Sequence, residues 1–164
     1  MTTKAPRPKP TAVIFDVDGT LVDVSSVRHH VILNSEGNPG YKDFKAFHEG
    51  ASGCPPIVKT LLGVQDAINA GHEIIVVTAR AEEWRTPTRW WLQNHGIYPR
   101  HQLHRQAGDH RVDREVKKDI LDGLRQHYNI VHAWDDNPSI IQLWKDEGIP
   151  VTEVPGWEYE KVAA

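Results

Sequence analysis

Asp16 and Asp18 are two carboxylates two residues apart, and the apolar run Val13, Ile14 and Phe15 leads directly into them. Gly19 and Thr20 follow at once. The apolar run reads as a parallel strand buried on both faces, and the glycine suits a sharp turn at its end. In an open parallel sheet, ligands bind beyond the carboxyl ends of the strands, so both acids stand where a reaction would be done. Two close carboxylates repel one another, and bound Mg²⁺, a hard cation that prefers oxygen ligands, is the expected compensation. Similar groups recur at later strand ends. Thr78 closes the run Ile74, Ile75, Val76, Val77, and Asp135 with Asp136 follows Ile130 to Trp134.

The elements that must position these groups alternate along the chain. Strands are expected at 12–17, 73–78, 102–105, 130–134 and 150–154. Helices are expected at 57–70, 84–95, 114–128 and 139–146. The first of these helices carries a stripe of Val58, Leu61, Leu62, Val64, Ala67 and Ile68 at helical spacing. Strands alternating with helices imply a parallel α/β sheet with its strand ends on one edge. The segment 22–56 breaks the pattern, with Asn38-Pro39-Gly40, Gly50, Gly53 and Pro55-Pro56 as turn formers. Its 35 residues suffice for a small lid or long loop, with a helix near 43–48, but not for a cap domain.

The stretch from Asp16 to Thr20 resembles the first motif, DxDGT, of the haloacid dehalogenase (HAD) superfamily. The resemblance implies a HAD-type Rossmann-like α/β fold, with a parallel sheet sandwiched by helices. It also implies roles. Asp16 would be the nucleophile and Asp18 the general acid and base. Thr78 would hydrogen-bond the phosphoryl group, and Lys117 or Lys118 would neutralise its charge. Mg²⁺ would be held by Asp16, the main-chain carbonyl of Asp18, and Asp135 or Asp136. Hydrolysis would then pass through an aspartyl-phosphate.

A second stretch narrows the resemblance. Arg105, Gly108, Asp109, Arg111, Asp113, Val116, Lys117 and Lys118 fit the pattern R-x-x-G-D-x-R-x-D-x-x-V-K-K. That pattern is similar to one in the 3′-phosphatase domain of bacteriophage polynucleotide kinase/phosphatase, whose Val-Val-Ser-Gly-Arg is matched by Val76 to Arg80. The resemblance makes Arg80 and Arg105 substrate-phosphate or active-site arginines. It makes Asp113 the partner that orients Lys117 across one helical turn. It expects a further arginine after the first motif, for which Arg28 is the nearest candidate. It implies a phosphatase acting on 3′-phosphate ends of DNA or RNA. The alternatives are a nucleotidase of the same fold acting on free nucleoside monophosphates and a non-catalytic phosphate-binding module.

Composition sets bounds on these readings. The chain has 164 residues and a formal net charge of −3, with no global basic footprint for nucleic acid. One cysteine, Cys54, excludes an internal disulfide framework and fits a reducing cytoplasm. No apolar stretch reaches the roughly 20 residues of a membrane span, so no membrane partner is expected. Residues 1–11 are expected as a flexible Pro-rich arm, and 12–164 as one phosphatase domain. No G-x-x-x-x-G-K-[ST] loop occurs, so no kinase domain is expected in this chain. Trp84 is a candidate for base stacking, and Asp43 and His48 are candidates for substrate contact. The H-x-x-H of His101 and His104 lacks a third zinc ligand.

Overall fold

The computed structural model describes residues 7–31 and 42–156. Strands β1 (Thr11–Phe15), β2 (Glu73–Ala81), β3 (His101–Arg105), β4 (Asn129–Asp135) and β5 (Val151–Glu153) form one parallel sheet in the order β3-β2-β1-β4-β5. Helices α1 (Phe44–Ala51), α2 (Val58–Asn69), α3 (Arg85–Asn94), α4 (Asp113–Arg125) and α5 (Pro138–Asp146) flank it. The chain starts in the middle strand, winds outward to β3, then returns to β4 on the other side of β1. The winding direction therefore reverses between β1 and β4, the position that favours a ligand crevice at the strand ends. Asp16 and Asp135 stand at that reversal.

The middle strands bury both faces. Val13 and Phe15 join Ile74, Val76, Val64, Trp91 and Leu92 in one apolar layer. Ala12 and Ile14 join Ile75, Val77, Leu121, Ile140 and Trp144 in the other. That is why β1 and β2 read as continuous apolar runs without alternation.

Three expectations need correction. On α2 the expected stripe is only partly inward: Val58, Leu62 and Ile68 are exposed, and Thr60, Gly63, Val64 and Ala67 form the buried face. The reason is steric. A Cβ on Gly63 would stand 2.3 Å from the Trp134 ring, so the smallest side chains face the sheet and some bulkier ones turn outward. β2 continues past Thr78 to Ala81 because its end pairs again with β3, at Ala81 and Arg105. The expected arm is anchored at its inner end: the Pro10 carbonyl accepts from Asn129 N at 2.9 Å, and Thr11 already pairs with β4. Residues 1–6 lie outside the described residues.

The described part of the insert is tied to the core. Val22, Val24, Val27, Phe47, Ala51 and Cys54 all pack into the first apolar layer. A 3₁₀ turn (Arg28–His30) and α1 are its regular elements, and Asp43 caps α1 by accepting from Ala46 N at 2.9 Å. Among the described residues it contains no cap domain.

Candidate active site

The turn after β1 is built by backbone bonds. Asp16 N still donates to the Trp134 carbonyl at 3.1 Å, and the Val17 carbonyl then accepts from Thr20 N, Leu21 N and Val22 N. Gly19 sits at φ +79°, and a Cβ there would lie 2.0 Å from Asp136 Oδ2. Only glycine satisfies both the backbone conformation and that close approach. The turn thus sets Asp16 and Asp18 against the ends of β2 and β4.

Each acid is held by a cation from a distant segment. Lys117 on α4 is 2% exposed, and its Nζ donates to Asp16 Oδ1 and Asp135 Oδ2, both at 2.8 Å. Lys118, one position on, pairs with Asp122 and Glu147 on the surface. The helical phase therefore puts Lys117, not Lys118, in the site. Arg80 is 4% exposed; its Nε donates to Asp18 Oδ2 at 2.8 Å and its Nη2 to Asp18 Oδ1 at 2.5 Å. Its Nη1 donates to Thr88 Oγ1 at 2.9 Å. Arg80 was expected as a substrate-phosphate or active-site arginine, and it lines the same cavity as Asp18. In the structure its fork clasps Asp18, because a planar guanidinium matches a carboxylate edge to edge.

Arg105 also lines the cavity, and the expected partner of Asp113 is corrected. Arg105 Nε donates to the Ala79 carbonyl at 3.1 Å, and Nη1 donates to the carbonyls of Asp109 (3.1 Å) and Arg111 (2.6 Å). Its Nη2 donates to Asp113 Oδ1 at 2.5 Å. It staples the β3–α4 loop to the end of β2. Asp113 pairs with Arg105, while Lys117 is taken up by Asp16 and Asp135. Arg111 pairs with Asp109 and Asp119.

The remaining expected groups converge. Thr78 is buried; its Oγ1 accepts from Arg80 N at 3.2 Å, and among the described residues its own hydroxyl hydrogen has no acceptor. Asp136 Oδ1 accepts from Thr20 Oγ1 at 3.1 Å, and Arg28 Nη2 lies 3.6 Å from Asp136 Oδ2. Asp135 Oδ2 also accepts from Trp144 Nε1 at 3.3 Å, and its Oδ1 accepts from Asn137 N at 3.1 Å. One cavity of about 450 Å³ is lined by Asp16, Asp18, Thr78, Lys117, Asp135 and Asp136 together.

The two acids differ electrostatically. Burial pushes the Asp16 carboxyl well above the ordinary range, and Asp135 and Asp136 add to that beyond what Lys117 offsets. Burial opposes ionisation of Asp18 too, but the Arg80 charge and hydrogen bonds outweigh it and hold that carboxyl below its usual value. The pair is thus pushed in opposite directions.

A family model for the polynucleotide kinase PNKP phosphatase domain matches residues 10–159. The chain belongs to that family. It is a HAD phosphatase. It is 28% identical over 146 residues to a protein of Autographa californica nuclear polyhedrosis virus whose name gives it as a bifunctional polynucleotide kinase/RNA ligase; the match spans 86% of this chain and 19% of the viral protein. A chain of a Pnkp1/Rnl/Hen1 RNA repair complex superposes with a TM-score of 0.71 at 25% identity, covering 93% of this chain and 45% of that one. The Bacillus anthracis class C acid phosphatase with tungstate bound superposes with a TM-score of 0.68 at 16% identity, over 91% of this chain and 68% of that one, a likeness of fold. The chain thus spans less than half the length of the viral and repair-complex relatives.

For a phosphatase of this family the donor set can be tested for a cation. Asp16, Asp135 and Asp136 are buried and offer oxygens within 4.8 Å of one another. Among the described residues, four carboxylates, Asp16, Asp18, Asp135 and Asp136, face three cations, Lys117, Arg80 and Arg28. All-oxygen donors and surplus negative charge fit a hard divalent ion. The Asp18 side chain lies outside this triad, turned to Arg80, which leaves its main-chain carbonyl as the expected ligand. Sequence reasoning missed Thr20, Thr88, Trp144 and Phe44. Thr20 stood in the first motif and could have been found; the others become visible only when distant segments meet.

Proposed function

We propose that this chain removes a 3′-phosphate from polynucleotide ends. One observation carries the chemistry: Asp16, braced by Lys117, and Asp18, braced by Arg80, share a cavity with the spare hydroxyl hydrogen of Thr78. Asp16 Oδ attacks phosphorus, the ester P–O bond breaks, and an aspartyl-phosphate forms. Asp18 gives a proton to the leaving 3′-oxygen. It must first take that proton up against Arg80, and the incoming phosphate dianion favours this because a nearby like charge disfavours ionisation. In the second step Asp18, again a carboxylate, takes a proton from the water that attacks phosphorus and releases Asp16. Lys117 and the Thr78 hydroxyl donate to phosphoryl oxygens as charge spreads over them. Asp16, Asp135 and Asp136 are the residues that would hold Mg²⁺, which when bound screens nucleophile from substrate and polarises the phosphoryl oxygens.

The polymer substrate rests on the family and on a cavity without a cap domain among the described residues. Arg80 and Arg105 are engaged within the protein and do not carry it. Residues 12–164 are taken as the phosphatase domain. The test measures phosphate release from a 3′-phosphorylated oligonucleotide, 3′- and 5′-mononucleotides, and glycerol 2-phosphate, with and without EDTA. The oligonucleotide should be preferred and chelation should stop turnover. Preference for free nucleotides would replace the reading with that of a nucleotidase.

A further inference from the structure

One half of the cavity takes no part in the phosphate chemistry. Phe44, Phe47 and His48 of α1 line it, with Val31 and with Trp84 from the 3₁₀ turn after β2. The rings pack on one another. His48 lies 5.0 Å from Trp84, tilted by 51°, and 6.2 Å from Phe44, stacked at 26°; Phe47 meets it edge-on at 5.2 Å.

Two features of this wall are unexplained by packing alone. Phe44 is 53% exposed at the cavity, and apolar surface left open at a site marks a place where something is covered. His48 is only 7% exposed, yet among the described residues its Nδ1 has no hydrogen-bond partner. A buried polar atom left unmatched is unfavourable and calls for a partner. Burial also pushes the His48 imidazole down to about 4, so at neutral pH it is an uncharged ring. An aromatic wall with one unmatched polar atom suits a planar ligand with a polar edge.

We propose that Phe44, His48 and Trp84 form a stacking wall for the terminal nucleobase of the substrate, with His48 Nδ1 hydrogen-bonding to that nucleoside. This rests on the reading of the chain as a phosphatase of nucleotide-bearing phosphates and makes the three residues determinants of specificity. The wall shares its cavity with Asp16 and Asp18, so a nucleoside lying on it projects its phosphate to the acidic end. Base stacking on aromatic side chains tolerates any base, whereas the His48 contact introduces preference among them.

The full chain is tested on two 3′-phosphorylated oligonucleotides of equal length, one ending in a normal nucleotide and one in an abasic tetrahydrofuran residue. The readout is the ratio of their kcat/KM values. In wild type it should be about ten-fold or more, the scale of stacking one base on an aromatic side chain. Phe44→Ala and Trp84→Ala should bring it towards one, and Trp84→Phe should retain most of it. His48→Phe should keep the ratio above one but level the rates among the four terminal bases. A variant that only folds poorly lowers both rates and leaves the ratio intact. A wild-type ratio near one, or a ratio unmoved in both alanine variants, overturns the proposal. If the polymer reading fails and free nucleotides are preferred, the same ratio is taken between a 3′-nucleoside monophosphate and the abasic sugar phosphate, which separates the two failures.

Discussion

Replacing Lys117 by methionine tests how the site is held. Methionine keeps the length of the side chain and removes its charge. In the wild-type chain Lys117 Nζ lies 2.8 Å from both Asp16 and Asp135, and all three are buried. Removing one partner from a buried ionic cluster strands the others, a loss of about 3–5 kcal/mol. For a chain of this size each kcal/mol moves the melting temperature by about 2–4 °C, so the shift should be roughly 6–20 °C. The sign with pH follows from Asp16, which burial already holds above its ordinary value. A carboxyl raised in the folded state contributes stability below its unfolded value and loses it as pH rises through the folded one. Without Lys117 the Asp16 carboxyl rises further. The variant's deficit should therefore be large at pH 7.5 and small near pH 4. Thermal melts in EDTA at both pH values measure this, and added Mg²⁺ should restore part of the loss at pH 7.5. Hydrolysis should fall at least a hundred-fold. A variant that melts within about 2 °C of wild type at pH 7.5 in EDTA, or that turns over normally, would refute the reasoning.

Gly19→Ala should abolish turnover, since its Cβ would meet Asp136 Oδ2 at 2.0 Å in a backbone conformation that itself costs alanine about 1–2 kcal/mol; an active alanine variant would show that the turn can move. Arg105→Ala should lower kcat/KM on an oligonucleotide and on glycerol 2-phosphate by the same factor, because the guanidinium staples a loop and does not read a polymer; a selective loss on the oligonucleotide would reverse that assignment. His104 accepts from Gln102 Nε2 at 2.8 Å, and burial pushes it down to about 4. The unfolded chain takes up that proton first, so stability should fall as pH drops from 6.5 towards 4, by at most about 3 kcal/mol. Urea titrations at pH 7 and 5 should show His104→Gln losing part of that fall; identical pH dependence in both chains would exclude His104 as its source.

The sheet was legible because local sequence carries it. Val13 to Phe15 and Ile74 to Val77 must be buried on both sides, and a run of that kind has few homes other than a central parallel strand. The strand-end acids followed from the same pattern, since only one edge of such a sheet takes ligands. Helix faces were less legible. The outward Val58 and Leu62 on α2 are set by Trp134, a residue 71 positions beyond the Gly63 it packs against. Nothing within α2 announces that neighbour.

Charge partners were the least legible part, and the errors share one cause. Sequence shows a charge but not what faces it. Asp113 stands four residues before Lys117, and helical spacing makes that pair attractive on paper. The fold offers Lys117 two buried carboxylates instead, one from a residue 101 positions away, and leaves Asp113 to Arg105. Arg80 was read as a substrate-phosphate or active-site arginine without a named partner, and the turn after β1 delivers Asp18 to it from 62 positions away. The consequence is functional. A lysine and an arginine already bound to the two acids cannot also grip distant parts of a substrate. They keep the acids in place before substrate arrives. Discrimination between one phosphate ester and another then falls to the surfaces of the cavity that carry no charge. Among them, Phe44, Phe47, His48 and Trp84 form the aromatic wall proposed to take the terminal base.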